Sequence, residues 1–220
     1  MATPAAEELR IDVLAIGTLA RNRFWHEKAD VREEFATTTL VRSADRVIVV
    51  DPGWPQDVLR AVLFYRAGLK PEAVTDVFLT HVDAAHVRGI GLFTKARWLA
   101  YAEELVYARA ELRGQGELDA ILDRLAEVPD RLAPGVDIYP APGHSPGHTA
   151  LMVNSPLETV FVAGDAVLTR DHLEHGDLGP TLYDREKAEQ SFRELLEVGD
   201  FIVPGHDNIA WVRSPLGGLL

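Results

Sequence analysis

Four short strand-like segments of this chain each lead into a histidine or an aspartate, and that recurrence constrains its fold more than any other feature. Val77-Phe78-Leu79 runs into Thr80-His81-Val82-Asp83-Ala84-Ala85-His86, and a segment ending near Tyr139 runs into Ala141-Pro142-Gly143-His144. Further on, Val160 to Ala163 precedes Gly164-Asp165, and Phe201 to Val203 precedes Pro204-Gly205-His206. Short runs rich in β-branched residues read as strands. In open α/β sheets the carboxyl ends of strands are where chemistry is exposed. Histidine is the commonest metal ligand, and with no cysteine in the chain any metal site must be built from nitrogen and oxygen.

The remaining pattern is mixed α and β. Ile11 to Ile16, Thr37 to Val41 and Arg46 to Val50 read as an amino-terminal group of strands. Pro55 opens, and Gly68 closes, a helix whose Val58, Leu59, Val62 and Leu63 recur at helical spacing. Two helices are expected between Glu103 and Leu125, hinged at Gly114-Gln115-Gly116. A second group of strands covers Gly135 to Tyr139, Thr149 to Val153, Val160 to Ala163 and Phe201 to Val203. Between the last two lies a helix from Arg185 to Val198 that repeats Ala188, Phe192, Leu195 and Leu196, with Asp184 as its N-cap.

These fragments, together with Val50-Asp51-Pro52-Gly53, resemble the metallo-β-lactamase-fold hydrolases over roughly residues 10 to 210. That family ends a strand in Thr-His-x-His-x-Asp-His, and later loops supply a histidine, a bridging aspartate and a last histidine. His81 and His86 keep the ends of the loop, but Asp83 stands in place of its second histidine and Ala85 in place of its aspartate. The resemblance implies a four-layer αββα sandwich, an α/β fold formed by a single domain over residues 1–220. It implies a first metal position built on His81, Asp83, His144 and Asp165. It implies a weaker second one on His86, His206 and the shared Asp165, because Ala85 cannot coordinate. One or two divalent ions are expected, zinc, iron or manganese, with the carboxylate-rich first position shifting preference away from zinc. Asp51 resembles a family aspartate that orients a ligand instead of binding metal. His148 and Asp207 are read as structural, His172 and His175 as facing substrate, and His26 as unmatched. Arg88 stands where a small glycine usually follows the loop.

The activity so implied is a metal-dependent hydrolase in which metal-bound hydroxide attacks a small ester, lactone, thioester or related substrate, with Asp83 or Asp165 orienting the water. A mononuclear-iron dioxygenase of the same fold, matching His81, His144 and Asp165, is the first alternative. A degenerate metal-binding member with little or no catalysis, motivated by Ala85 and Arg88, is the second. A formal charge of -12, from 34 acidic and 22 basic residues, with no lysine or arginine cluster, argues against nucleic acid as a partner. The segment Met1 to Glu8 lacks the features of a signal peptide and no apolar run approaches a membrane span, so the expectation is a cytoplasmic protein acting on a small molecule without membrane partners. No residue pattern bears on the oligomeric state.

Overall fold

The computed structural model describes residues 9–114, 116–214 and 218–219; Met1 to Glu8 and the hinge residue Gln115 lie outside the described residues. One six-stranded sheet follows chain order: β1 (Arg10–Ala15), β2 (Thr38–Ser43), β3 (Arg46–Val50), β4 (Asp76–Phe78), β5 (Arg97–Ala100) and β6 (Ala126–Glu127). The second contains β7 (Arg131–Ala133), β8 (Val136–Pro140), β9 (Thr149–Asn154), β10 (Thr159–Gly164), β11 (Phe201–Pro204) and β12 (Ala210–Trp211). Hairpin-linked pairs are antiparallel, whereas β3 to β6 and the β10–β11 pair run parallel. The helices are α1 (Gln56–Ala67), α2 (Ala84–Val87), α3 (Ala102–Glu111), α4 (Glu117–Arg124), α5 (Arg170–His175) and α6 (Arg185–Val198).

Three apolar layers hold these parts in an αββα sandwich. Successive strand side chains point to opposite faces, so a strand covered on both sides reads as a continuous apolar run. In β3, Val49 packs among α1, α3 and α4 with Leu59, Leu63, Leu105 and Leu122, while Ile48 and Val50 face the other sheet. Between the sheets Phe78 and Leu99 meet Leu151, Val160, Val162 and Val203. On the far side Phe161, Ala163 and Ile202 meet Leu173 of α5 and Phe192 and Leu195 of α6.

Local signals end the helices where the residues require. Gly68 takes the left-handed conformation at φ 68° and its N–H reaches the Leu63 and Phe64 carbonyls, and Asp184 accepts from the Lys187 N–H to start α6. The sequence pattern missed β5, β6, β7, β12, α2 and α5. Arg97-Trp98-Leu99-Ala100 is too short to show a period and runs almost directly into α3, and α5 is a six-residue helix capped by Thr169 in what reads as loop. Among the described residues no helix is long and apolar enough to cross a membrane.

Candidate metal centre

Parallel pairing brings the carboxyl ends of β3 and β4 in one sheet, and of β10 and β11 in the other, to a common edge. His81 follows β4, His86 lies on α2, His144 is in the β8–β9 loop, and Asp165 and His206 follow β10 and β11. The loops are tied across the sheets: Thr149 N donates to the Thr80 carbonyl at 3.0 Å, and Thr37 N to the Gly205 carbonyl at 2.6 Å.

Asp165 sits at the centre. Its Oδ1 lies 3.3 Å from His86 Nε2 and 3.2 Å from His206 Nε2, and its Oδ2 lies 3.6 Å from His144 Nε2 and 3.9 Å from His81 Nε2. Two ligands at about 2.0–2.2 Å from one ion are about 3.0–3.6 Å apart, a spread that Asp165 Oδ1 matches with both its imidazoles and that Oδ2 matches with His144 and slightly exceeds with His81. His81, His144 and Asp165 form one such group, and His86, Asp165 and His206 the other. Buried polar atoms ordinarily find partners, yet His81 Nε2, His86 Nε2, His206 Nε2 and Asp165 Oδ1 are buried with no hydrogen bond. The donor set and its unpartnered atoms fit divalent cations.

The outer nitrogens are held. His206 Nδ1 is 2.9 Å from the Phe35 carbonyl, which fixes the proton there and leaves Nε2 free. His86 Nδ1 is 3.1 Å from Asp51 Oδ2. Asp51 is itself buried, at a left-handed φ of 47°, and accepts from Thr80 N and Thr80 Oγ1 at 2.9 and 2.8 Å. Asp51 therefore abuts the outer nitrogen of His86 and is not itself a member of either triad. His148 is structural: its Nδ1 faces the Ala141 carbonyl at 3.1 Å and its Nε2 accepts the Asp165 N–H at 3.1 Å, which positions the central carboxylate. Burial, with the neighbouring His144, pushes His148 down to about 3, so it stays neutral.

Charge is divided unevenly among the imidazoles. Burial, reinforced by His86 and His144, drives His81 well below the ordinary histidine range. Burial also opposes charge on His86 and His206, but Asp165 outweighs it at both, helped by Asp51 at His86 and Glu34 at His206, and both are raised. Burial opposes ionisation of Asp165, but His206, His86 and His144 hold it well below the usual carboxylate range. Cations binding here displace those protons.

The expected ligand that the fold brings into neither triad is Asp83. It is exposed, extended at φ -141° and ψ 154°, and serves as the N-cap of α2, its Oδ1 accepting the Ala85 N–H at 2.8 Å. A carboxylate next to a helix start is captured by the unpaired N–H groups there. Each of the two groups has two imidazoles and one Asp165 oxygen, and the His86–His206 side is the more deeply buried. The two Pro-Gly-His turns share a reason for glycine. At Gly205 a Cβ would stand 2.1 Å from Asp165 Oδ1, and at Gly143 it would stand 2.3 Å from Ala188 N; Gly143 adds a φ of 138° to the same close approach.

Sequence reading missed Glu104. It lies in the first turn of α3 beside the exposed Glu103, and acidic residues at that place are ordinary complements to the helix dipole. Folded, it is fully buried, and it accepts Val82 N–H at 2.9 Å and Ser145 Oγ at 2.5 Å, latching the His81 loop to the His144 loop. Burial raises its pKa against the pull of those hydrogen bonds. Glu104→Ala strands both donors and opens a cavity, and a loss of about 2–4 kcal/mol of stability is expected by urea denaturation.

An open cleft of about 510 Å³ leads to the centre and is lined by His144, Asp165, Asp83, Glu34 and His172. His172 is held by Thr169 Oγ1 at 2.7 Å from its Nδ1, while His175 stacks on Phe24 at 4.6 Å and is not on the cleft wall. Asp207 accepts the Arg170 N–H at 3.1 Å, a structural role.

Among proteins of recorded description, the human metallo-beta-lactamase domain-containing protein 1 is 33% identical over 177 residues, 78% of this chain and 62% of the relative. An N-acyl homoserine lactonase of Bacillus cereus is 30% identical over 138 residues, 60% of this chain and 54% of the relative. The matches thus span less than two thirds of either relative's length. Among solved structures, a dizinc quorum-quenching lactonase with a homoserine product superposes with a TM-score of 0.68 at 18% identity, over 96% of this chain and 90% of that one. A putative metallo-beta-lactamase from Thermotoga maritima gives 0.69 at 19% identity, over 93% and 100%. Residues 31–206 match the metallo-beta-lactamase superfamily, and with the αββα sandwich and the two triads already described, the chain belongs to that superfamily.

Proposed function

We propose that this protein is a two-metal hydrolase of small carboxylic esters, with lactones the first class to test. The observation that carries the reading is the division of Asp165: one oxygen faces His86 and His206, the other His81 and His144. Divalent ions held there supply Lewis acidity toward a carbonyl and a hydroxide nucleophile at neutral pH. His81, His144 and Asp165 are assigned to the first ion, and His86, His206 and Asp165 to the second. Asp51 and the Phe35 carbonyl keep His86 and His206 aimed inward, and His148 holds the backbone of Asp165. The Asp83 carboxylate, which lines the same cleft as His144 and Asp165, is assigned the proton that an attacking water would give up. The cleft volume suits a small molecule.

The relatives support the ester class, since several are N-acyl homoserine lactonases. A second buried triad weighs for two ions over the single iron of a dioxygenase. Zinc- or manganese-loaded protein should hydrolyse at least one member of a panel of lactones, thioesters and open-chain esters, and chelation should abolish that turnover. Chelation should also lower the melting temperature by about 5–10 °C for each ion removed, since an ion at a hundred times its Kd contributes about 2.7 kcal/mol. Turnover that survives chelation would sink the reading. Isolation with a single iron, and oxygen uptake on a persulfide, would favour the dioxygenase.

A further inference from the structure

We propose that Glu34 supplies the carboxylate of the second metal position that the loop lacks at Ala85. This rests on the two-metal reading above. Glu34 is far from the loop in sequence, but its segment is stitched to that side of the centre. Ala36 N donates to the Ala85 carbonyl at 3.2 Å, and the carbonyl of Phe35 fixes His206 Nδ1 at 2.9 Å. The chain at Glu34 therefore passes between the residue that lost its carboxylate and a histidine of the second triad.

Alternation then selects which side chain points inward. Phe35 pairs with Thr18 as an isolated β-bridge, so neighbouring residues in this extended segment face opposite ways. Glu33 pairs with Arg88, whose guanidinium also lies over the Phe35 ring at 5.1 Å, and Phe35 stacks on Trp54 at 4.3 Å. Those contacts hold Glu33 and Phe35 away from the centre, and Glu34 faces it. Its Oε2 is anchored by the Ala20 N–H at 3.1 Å, and its Oε1 is left 3.8 Å from the unpartnered His206 Nε2. That separation is slightly wider than two ligands of one ion show; Glu34 stands beside the His86–Asp165–His206 group without belonging to it, so ligation requires its half-exposed side chain to turn inward. Arg88, in the position of a usual glycine, acquires a purpose: it holds outward the other acidic residue of the pair.

The test counts ions. Metal-depleted wild-type protein, Glu34→Gln and Asp83→Asn are titrated with zinc by calorimetry, and bound zinc is measured after gel filtration. Asparagine still caps a helix, so Asp83→Asn isolates the charge of Asp83 from the start of α2. Wild type should bind two ions. Glu34→Gln should bind the first with affinity within about twofold of wild type and the second at least about tenfold more weakly, while Asp83→Asn keeps both. Adding Ala85→Asp to Glu34→Gln should restore the second ion. Equal melting temperatures of the metal-free proteins exclude misfolding as the cause of the loss, and if Glu34→Gln fails that control, Glu34→Asp takes its place with the same expectation of weaker second binding. Two ions at wild-type affinity in Glu34→Gln would overturn the assignment while leaving the two-metal reading standing. Fewer than two ions in wild type would overturn both.

Discussion

Asp165→Asn is expected to lower ester hydrolysis at least about 1000-fold and to leave both metal positions unable to retain an ion through gel filtration. The carboxylate is buried and its two oxygens are the one contact common to four imidazoles, so no neighbour can take over for it. An amide replaces one oxygen with a donor, which faces either a cation or an imidazole nitrogen and coordinates neither ion. Metal ions contribute several kcal/mol of charge stabilisation in the transition state, and about 4 kcal/mol corresponds to a factor of about 1000. Steady-state kinetics on the best substrate of the ester panel, with zinc counted on the same sample, checks the expectation. A variant keeping a tenth of the rate and both ions would show that Asp165 is not the bridge.

Gly147→Ala should destabilise the protein by about 3 kcal/mol or more, seen as a melting temperature lower by roughly 6–12 °C. A Cβ at Gly147 would stand 1.9 Å from Glu104 N and 2.4 Å from Glu104 Cα, and neither side can yield cheaply. The Gly147 carbonyl accepts Thr149 Oγ1 at 2.9 Å, and the Glu104 carboxylate is buried against Val82 N and Ser145 Oγ. The clash therefore pushes apart the two loops that carry His81 and His144, and zinc affinity at the first position should fall with stability. Gly176→Ala provides the contrast: a Cβ there meets nothing within 4 Å, and the left-handed φ of 62° alone should cost about 1 kcal/mol. Equal effects from the two substitutions would show that packing at Gly147 is looser than the structure indicates.

The legible elements share a physical property. The helix at Arg185–Val198 shows its period over four turns and its cap at Asp184, and β3 carries five consecutive residues of β character. By contrast β5 has four residues and β6 two, too few for a period to appear, and their place in the sheet comes from pairing with β4 and with each other. The same division runs through the site. His81, His144, Asp165 and His206 each follow a strand end within a recognisable turn and His86 closes the loop begun at His81, whereas Glu104 and Glu34 sit among ordinary acidic residues and carry no local mark.

Sequence by itself determined a mixed α and β chain, the strand ends at which chemistry would gather and most of the side chains that gather there, because periodicity and strand-end turns are written within a few residues; the layered sandwich came from the family resemblance. It could not decide the fate of Asp83, which depends on whether the chain after His81 continues as loop or starts a helix; a four-residue helix starts, and its free N–H at Ala85 takes the carboxylate. Nor could it place the side chains that surround each triad. Those placements are set by contacts between segments as distant as residues 34 and 206, or 51 and 86, and such approaches exist only once both sheets have closed on their shared core.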